Sequence, residues 1–339
     1  MKARISFGLI GMVIFILVIS HTNRAQTCEP DGDVSFICGT VSPEDLLSVP
    51  ESPWVIVSSM EDEGHLYSVD VRTHIATTLF PIEDSKFQHD TVTYGDCPGP
   101  VTRQFRPHGL SLRTKNDQVH ILYVVGHGDR ESVEIFELTV SADQPSATWV
   151  GCVIAPDEVN LNSVTALPSG GFAATHFRTP LGEVWEWQPT HGWMKVLGSE
   201  SNGPNGLLVS PDGNWFYIGG HGTQSVLRLS RGQDLVQQAD VGVGFQVDNL
   251  RWASDGSILA AGQASPGDLT IRECIIQGDC GGFTSRVARI NPQTLSSEEI
   301  VRYPSTKDVV LGTGAIQVEN EIWLGAVGGG DRIARFNIR

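Results

Sequence analysis

Basic residues are scarce in this chain: 23 Lys and Arg stand against 39 Asp and Glu among 339 residues, a formal net charge of -16 at pH 7. A nucleic-acid partner needs a basic stripe to meet its phosphates, and none is present, so that class is excluded. Long apolar runs are lacking too. The longest, residues 5–19, falls short of the ~18 apolar residues that a membrane-spanning helix needs. Preceded by Lys2 and Arg4 and followed by SHTNRAQT, it reads as a secretory leader over 1–25, cleaved near Ala25, with membrane attachment only if that segment is retained. The absence of a GxSxG elbow removes the usual serine-esterase signature. CxxC pairs are absent as well, which removes zinc-ribbon and thiol-redox sites. Asn162-Ser163-Val164 lacks the third residue of a glycosylation acceptor. Outside the leader no segment sustains a helical period over three turns.

What is present is glycine, 37 residues of it, 40% hydrophobic residues and six cysteines. An even cysteine count after a leader fits an exported, disulfide-bonded protein. Spacing alone leaves the connectivity open. Cys274 with Cys280, and Cys28 with Cys38, would close the shortest loops, leaving Cys97 and Cys152.

A polar residue, an apolar run, a turn and a second apolar run recur six times, beginning at Glu44, His108, Asn162, Asn205, Asp248 and, more weakly, Thr313. The central copies lie 43 residues apart and the others up to 65. Periods of ~40–50 residues with strand-like content mark propeller blades, and longer spacings place insertions in loops. Segments 54–58, 120–125, 172–175 and 215–218 read as strands bounded by turn residues such as Pro211-Asp212-Gly213. HLYSVDV from His65, SVEIFELTV from Ser132, SVLRLS from Ser225 and RIARFNI from Arg332 alternate as half-exposed outer strands do. The expected fold is therefore all-β: a six-bladed β-propeller of four-stranded blades over 26–339, around a central metal-containing channel. A β-sandwich explains neither the number of copies nor their polar first residues.

Innermost strands line the channel of a propeller, so equivalent residues form a ring. Glu44, His108, Asn162, Asn205 and Asp248 should then crowd one mouth. Two carboxylates buried together require a compensating cation. Glu44 and Asp248 with the amide oxygens of Asn162, Asn205 and Asn249 make an all-oxygen set suited to calcium, whereas zinc would want histidine and cysteine. Taken singly these residues have plainer explanations: Asn205-Gly206 as a turn dipeptide, Asp248-Asn249 as a loop cap, the histidines as core residues. Their common position in the repeat argues for one site.

Seven motifs, EDLLSVP at Glu44, DSKF at Asp84, RPHGLSL at Arg106, VVGHGDRESVEIFEL from Val124, NSVTALPSGGFAATHF at Asn162, PNGLLVSPDG at Pro204 and VDNLRWASDG at Val247, resemble in this order the paraoxonase branch of the superfamily that also holds gluconolactonases and senescence marker protein. The resemblance implies a six-bladed propeller with lactonase or arylesterase activity and a catalytic calcium held by Glu44, Asn162, Asn205, Asp248 and Asn249. It maps the family's histidine dyad onto His108 and His127, the pair that separates paraoxonases from gluconolactonase-type relatives. For a second, structural calcium it implies Asp45 and the Leu110 carbonyl, with Ser163 where a second aspartate would stand. The C-terminal cysteine that ties the ring shut in animal paraoxonases has no counterpart, so closure is expected from strand pairing or another bridge. The expected substrate is a small lactone or ester, opened by water that His108 activates with His127 behind it. A gluconolactonase-like sugar lactonase and a non-catalytic binding propeller stapled by calcium are the alternatives.

Overall fold

The computed structural model describes residues 28–338 apart from 102, 103, 142, 234 and 268. The leader expected over 1–25 lies outside the described residues. Six sheets, each built on four antiparallel strands, are arranged as a six-bladed β-propeller. Blade one is Pro43–Ser48, Trp54–Ser59, Leu66–Asp70 and Ile75–Phe80. The inner strands of the next five are Phe105–Asn116, Leu161–Ala166, Pro204–Val209, Gln246–Trp252 and Leu311–Val318. Each lies beside the inner strand of the next blade, and the sixth returns to the first. The ring is shut by strand pairing: Ser35–Cys38 adds to Arg332–Asn337 as the outer strand of blade six, and Cys28–Cys38 anchors it.

Apolar residues segregate into six layers, each between consecutive blades, plus a small cluster under the Cys274–Cys280 loop. Covering both faces of a blade removes the alternation expected of half-exposed strands: Leu66–Asp70 is buried throughout, and only the outermost Ile75–Phe80 alternates. Trp149 and Trp323 sit fully inside these layers. Blade two carries a fifth strand, the parallel Lys86–Phe87.

The disulfides are Cys28–Cys38, Cys97–Cys152 and Cys274–Cys280. The last pins a two-turn helix, Ile271–Gln277, closed at its start by a Thr270/Glu273 capping box and at its end by left-handed Gly278. Chain direction puts this insertion and the 80–105 connection at the mouth where the inner strands begin. Among the described residues no helix is long and apolar enough to cross a membrane.

Candidate functional site

Every inner strand slips register once near its start: between Pro43 and Asp45, Pro107 and Leu110, Leu161 and Val164, Pro204 and Leu207, Val247 and Leu250, and Gly312 and Ala315. A bulge releases residues from the ladder and re-aims their side chains. The released residues include Glu44, His108, Asn162, Asn205, Asp248 and Thr313, which puts one polar residue per blade at one level of the ring. The residue that follows alternates around the ring: Asp45, Ser163 and Asn249 on odd blades, Gly109, Gly206 and Gly314 on even ones. These glycines serve close approach. A Cβ on Gly109 would fall 2.5 Å from the Asn162 carbonyl oxygen, one on Gly206 2.5 Å from that of Asp248, and one on Gly314 2.9 Å from that of Glu44. Asn205-Gly206 is thus the bulge of a buried inner strand and makes no hairpin turn.

Glu44, His108, Asn162, Asn205, Asp248 and Asn249 are all buried. Asn249 Nδ2 donates to Glu44 Oε1 at 2.6 Å, and His108 Nε2 lies 3.5 Å from the same oxygen. Gln263 Nε2 donates to Asp248 Oδ2 at 2.8 Å, and the Asn205 side chain hydrogen-bonds Asp248 as well. Thr313 faces differently: its hydroxyl donates to the backbone carbonyl of Glu44 and locks blade six to blade one. Burial pushes the Glu44 carboxyl up to about 7, against the Asn249 hydrogen bond and the charge of Arg251. Burial, then the Glu44 charge, pushes Asp248 up to about 7.

Five buried oxygens here have no hydrogen-bond partner: Glu44 Oε2, Asn162 Oδ1, Asn205 Oδ1, Asn249 Oδ1 and Gln263 Oε1. At about 1–3 kcal/mol for each, five such atoms would cost as much as the ~5–15 kcal/mol by which a whole domain is stable. Without an ion, water can bond the amide oxygens and protons can neutralise the carboxyls, both raised to about 7; above that pH one hard cation answers both demands at once. Among the described residues no three His, Cys, Asp or Glu side chains form a metal-holding group. The donors gathered are two carboxylates and neutral amides, a set that fits calcium and does not fit zinc.

Beside these oxygens runs a chain of ring nitrogens. His108 Nδ1 is 2.9 Å from His127 Nε2, and His127 Nδ1 is 2.8 Å from Glu131 Oε2. The other Glu131 oxygen accepts the Leu161 backbone N–H at 2.6 Å, fixing the carboxylate against blade three. A carboxylate only accepts, so it sets the tautomers in turn: His127 carries its proton on Nδ1, His108 on Nδ1, and the His108 Nε2 lone pair faces the channel. Burial holds the His108 imidazole below its ordinary value, partly offset by Asp248, Asp45 and Glu131, which keeps it neutral and basic near pH 7. Burial also brings His221 down to about 4; its ring meets Phe177 edge-on at 5.6 Å on the rim.

Glu131 and Gln263 join the site without having been assigned to it from sequence. Gln263 stands next to the end of Ile258–Ala264, the strand paired with the one that carries Asp248. Glu131 follows His127 by four positions, within the motif that begins at Val124, and nothing in that spacing marks it as a partner of His127. The remaining set is differently occupied. Asp45 Oδ1 accepts from Leu46 N at 2.9 Å and Oδ2 from Leu110 N at 2.8 Å, Ser163 Oγ accepts from Leu207 N at 3.2 Å, and the Arg251 guanidinium bonds both Asp45 Oδ2 and the Leu110 carbonyl.

No family model matches the chain. Human serum paraoxonase/arylesterase 1 is 29% identical over 128 residues, a stretch covering 34% of this chain and 36% of that protein, so the match spans little more than a third of the relative's length. A solved gluconolactonase from Xanthomonas campestris superimposes with a TM-score of 0.57 at 11% identity, over 90% of this chain and 89% of that one. A streptogramin B lyase gives 0.53 at 12% identity, over 90% and 97%. Likenesses this remote establish the fold alone, and the fold carries hydrolase and lyase alike. The chain is therefore similar to the paraoxonases in sequence, over part of its length, and to the gluconolactonase-type propellers in fold.

Proposed function

We propose that this protein is a calcium-dependent hydrolase of lactones, extending to aryl esters. The observation that carries the reading is the set of five partnerless buried oxygens beside a buried histidine, His108, whose Nδ1 is 2.9 Å from His127 Nε2. Glu44, Asn162, Asn205, Asp248 and Asn249 would hold the ion, with Gln263 and Asn205 steadying the Asp248 carboxylate. Bound there, calcium supplies a Lewis acid that draws electron density from a carbonyl oxygen.

The protein's own groups do the rest. His108 Nε2 takes a proton from the attacking water as the new C–O bond forms. Its Nδ1 proton moves toward His127 Nε2, and Glu131 stabilises the positive charge that spreads over the two rings. Collapse breaks the ring C–O bond, the proton returns to the departing alkoxide, and a hydroxy acid leaves. No nucleophilic serine takes part. The dyad favours this reading over a gluconolactonase-type one, because the resemblance assigns it to paraoxonases; rates on aliphatic, acyl-homoserine and sugar lactones separate the two. Three disulfides fit an oxidising compartment and support secretion.

The test is His108→Gln. Removal of a general base typically costs ~10²–10⁴ in rate, so kcat should fall by that order while calcium affinity, measured by titration calorimetry, stays as in the parent. Undiminished turnover in this variant would exclude His108 as the base.

A further inference from the structure

One step along the channel from the partnerless oxygens lies a second buried acidic position, and it has its own cation. Asp45 is completely buried and Arg251 is 5% exposed. The guanidinium extends from the inner strand of blade five across the hub. Its Nε donates to the Leu46 carbonyl at 2.8 Å, Nη1 to the Leu250 carbonyl at 2.9 Å, and Nη2 to Asp45 Oδ2 and to the Leu110 carbonyl, the latter at 2.9 Å. Blades five, one and two are thereby tied through a single side chain.

We infer that Arg251 replaces the second, structural calcium: the guanidinium neutralises Asp45 and satisfies the Leu110 carbonyl that the resemblance would give to a metal, so the propeller hub holds together without any ion. Three observations converge. The carboxylate and the carbonyl are both engaged by Arg251. Ser163, where a second anionic ligand would be needed, is neutral, and its oxygen is bound to the Leu207 amide of blade four. A divalent ion between Asp45 and Leu110 would also stand against a guanidinium that cannot lose its proton. The fork's several donors answer several oxygens at once, as a structural cation does. On the far side of Arg251 the channel opens into a funnel of about 350 Å³ lined by Leu47, Leu110, Val164, Leu208 and Ile316. The guanidinium therefore plugs the axis between that funnel and the acidic site.

The expected count of one ion per chain rests on the calcium site proposed above; the role of Arg251 does not. The experiment combines metal analysis of the dialysed full chain with melting in excess chelator. The wild type should carry one calcium, not two, and after chelation should still melt cooperatively. Arg251→Met leaves the Asp45 carboxylate uncompensated, and in chelator it should melt lower by on the order of 10 °C; Arg251→Met with Ser163→Asp should carry one ion more than the wild type. Two ions in the wild type, unfolding of the wild type on chelation, or wild-type melting of Arg251→Met in chelator would each overturn the inference. The first and second of these need no variant to fold. If the wild type holds no ion while Arg251→Met still melts low, the proposed function fails and the role of Arg251 stands.

Discussion

Acidification should weaken calcium binding steeply, and the size of the effect follows from two carboxyls. Glu44 and Asp248 each rise to about 7 in the ion-free protein, chiefly through burial. A raised folded-state value means that the empty site holds protons below about 7, whereas the ion requires both carboxylates ionised. Affinity is therefore full above that pH and is lost as pH falls through it. At about pH 5.5, some 1.5 units lower, each competing proton costs about 30-fold and the pair together up to ~10³-fold relative to pH 8. The two titrate as a coupled pair, so one to two protons should leave per ion bound near pH 6, and almost none near pH 8.5. Stability of the chelated protein runs the opposite way. Unfolded carboxyls titrate near ~4, so between ~4 and ~7 the ion-free fold binds more protons than the unfolded chain and loses up to ~1.4 kcal/mol per pH unit per group as pH rises. Titration calorimetry in two buffers of different ionisation enthalpy reads the proton count directly. An affinity flat across this range, with no proton released, would refute the claim that buried carboxylates bind the ion.

Glu131→Gln cannot anchor the His127 Nδ1–H as a carboxylate does and should lower kcat by roughly 10-fold or more, with KM and calcium affinity kept; Glu131→Asp should recover part of the loss. Equal turnover of Glu131→Gln and wild type would remove the carboxylate from the relay. Gly206→Ala brings a Cβ to 2.5 Å from the Asp248 carbonyl oxygen and should destabilise the fold by roughly 1–3 kcal/mol, seen as a lower melting temperature; an unchanged melting point would mean that the inner strands tolerate wider spacing.

The ring was legible in the sequence because a propeller places each repeat at the same level: six first residues in one register are also the six bulge residues. The short disulfides were legible for a simpler reason, since loops of 6 and 10 residues close with little else between their ends. Other features depend on contacts that spacing does not encode. Glu131 meets His127 only because a turn folds it back onto that ring and under Leu161. Arg251 occupies an inward position in NLRW, where local pattern gives no hint that Asp45 lies across the axis. The helix at Ile271–Gln277 is shorter than the three turns a periodic signal requires, although Thr270, Glu273 and Gly278 mark both of its ends. Glycines at 109, 206 and 314 alternated visibly with Asp45, Ser163 and Asn249. Their meaning, room for the next blade's backbone, needed the neighbouring strand.

One cation and one hydrolysis belong together in the proposed mechanism, and a single titration follows both. Protein stripped with chelator and shown still folded is assayed for lactone hydrolysis while calcium is added back, with bound calcium measured in the same samples. The stripped protein should show no turnover, and activity should rise in proportion to the first bound ion, reaching its plateau at one per chain. Full lactone turnover in the stripped protein, or none when that ion is bound, would contradict that mechanism.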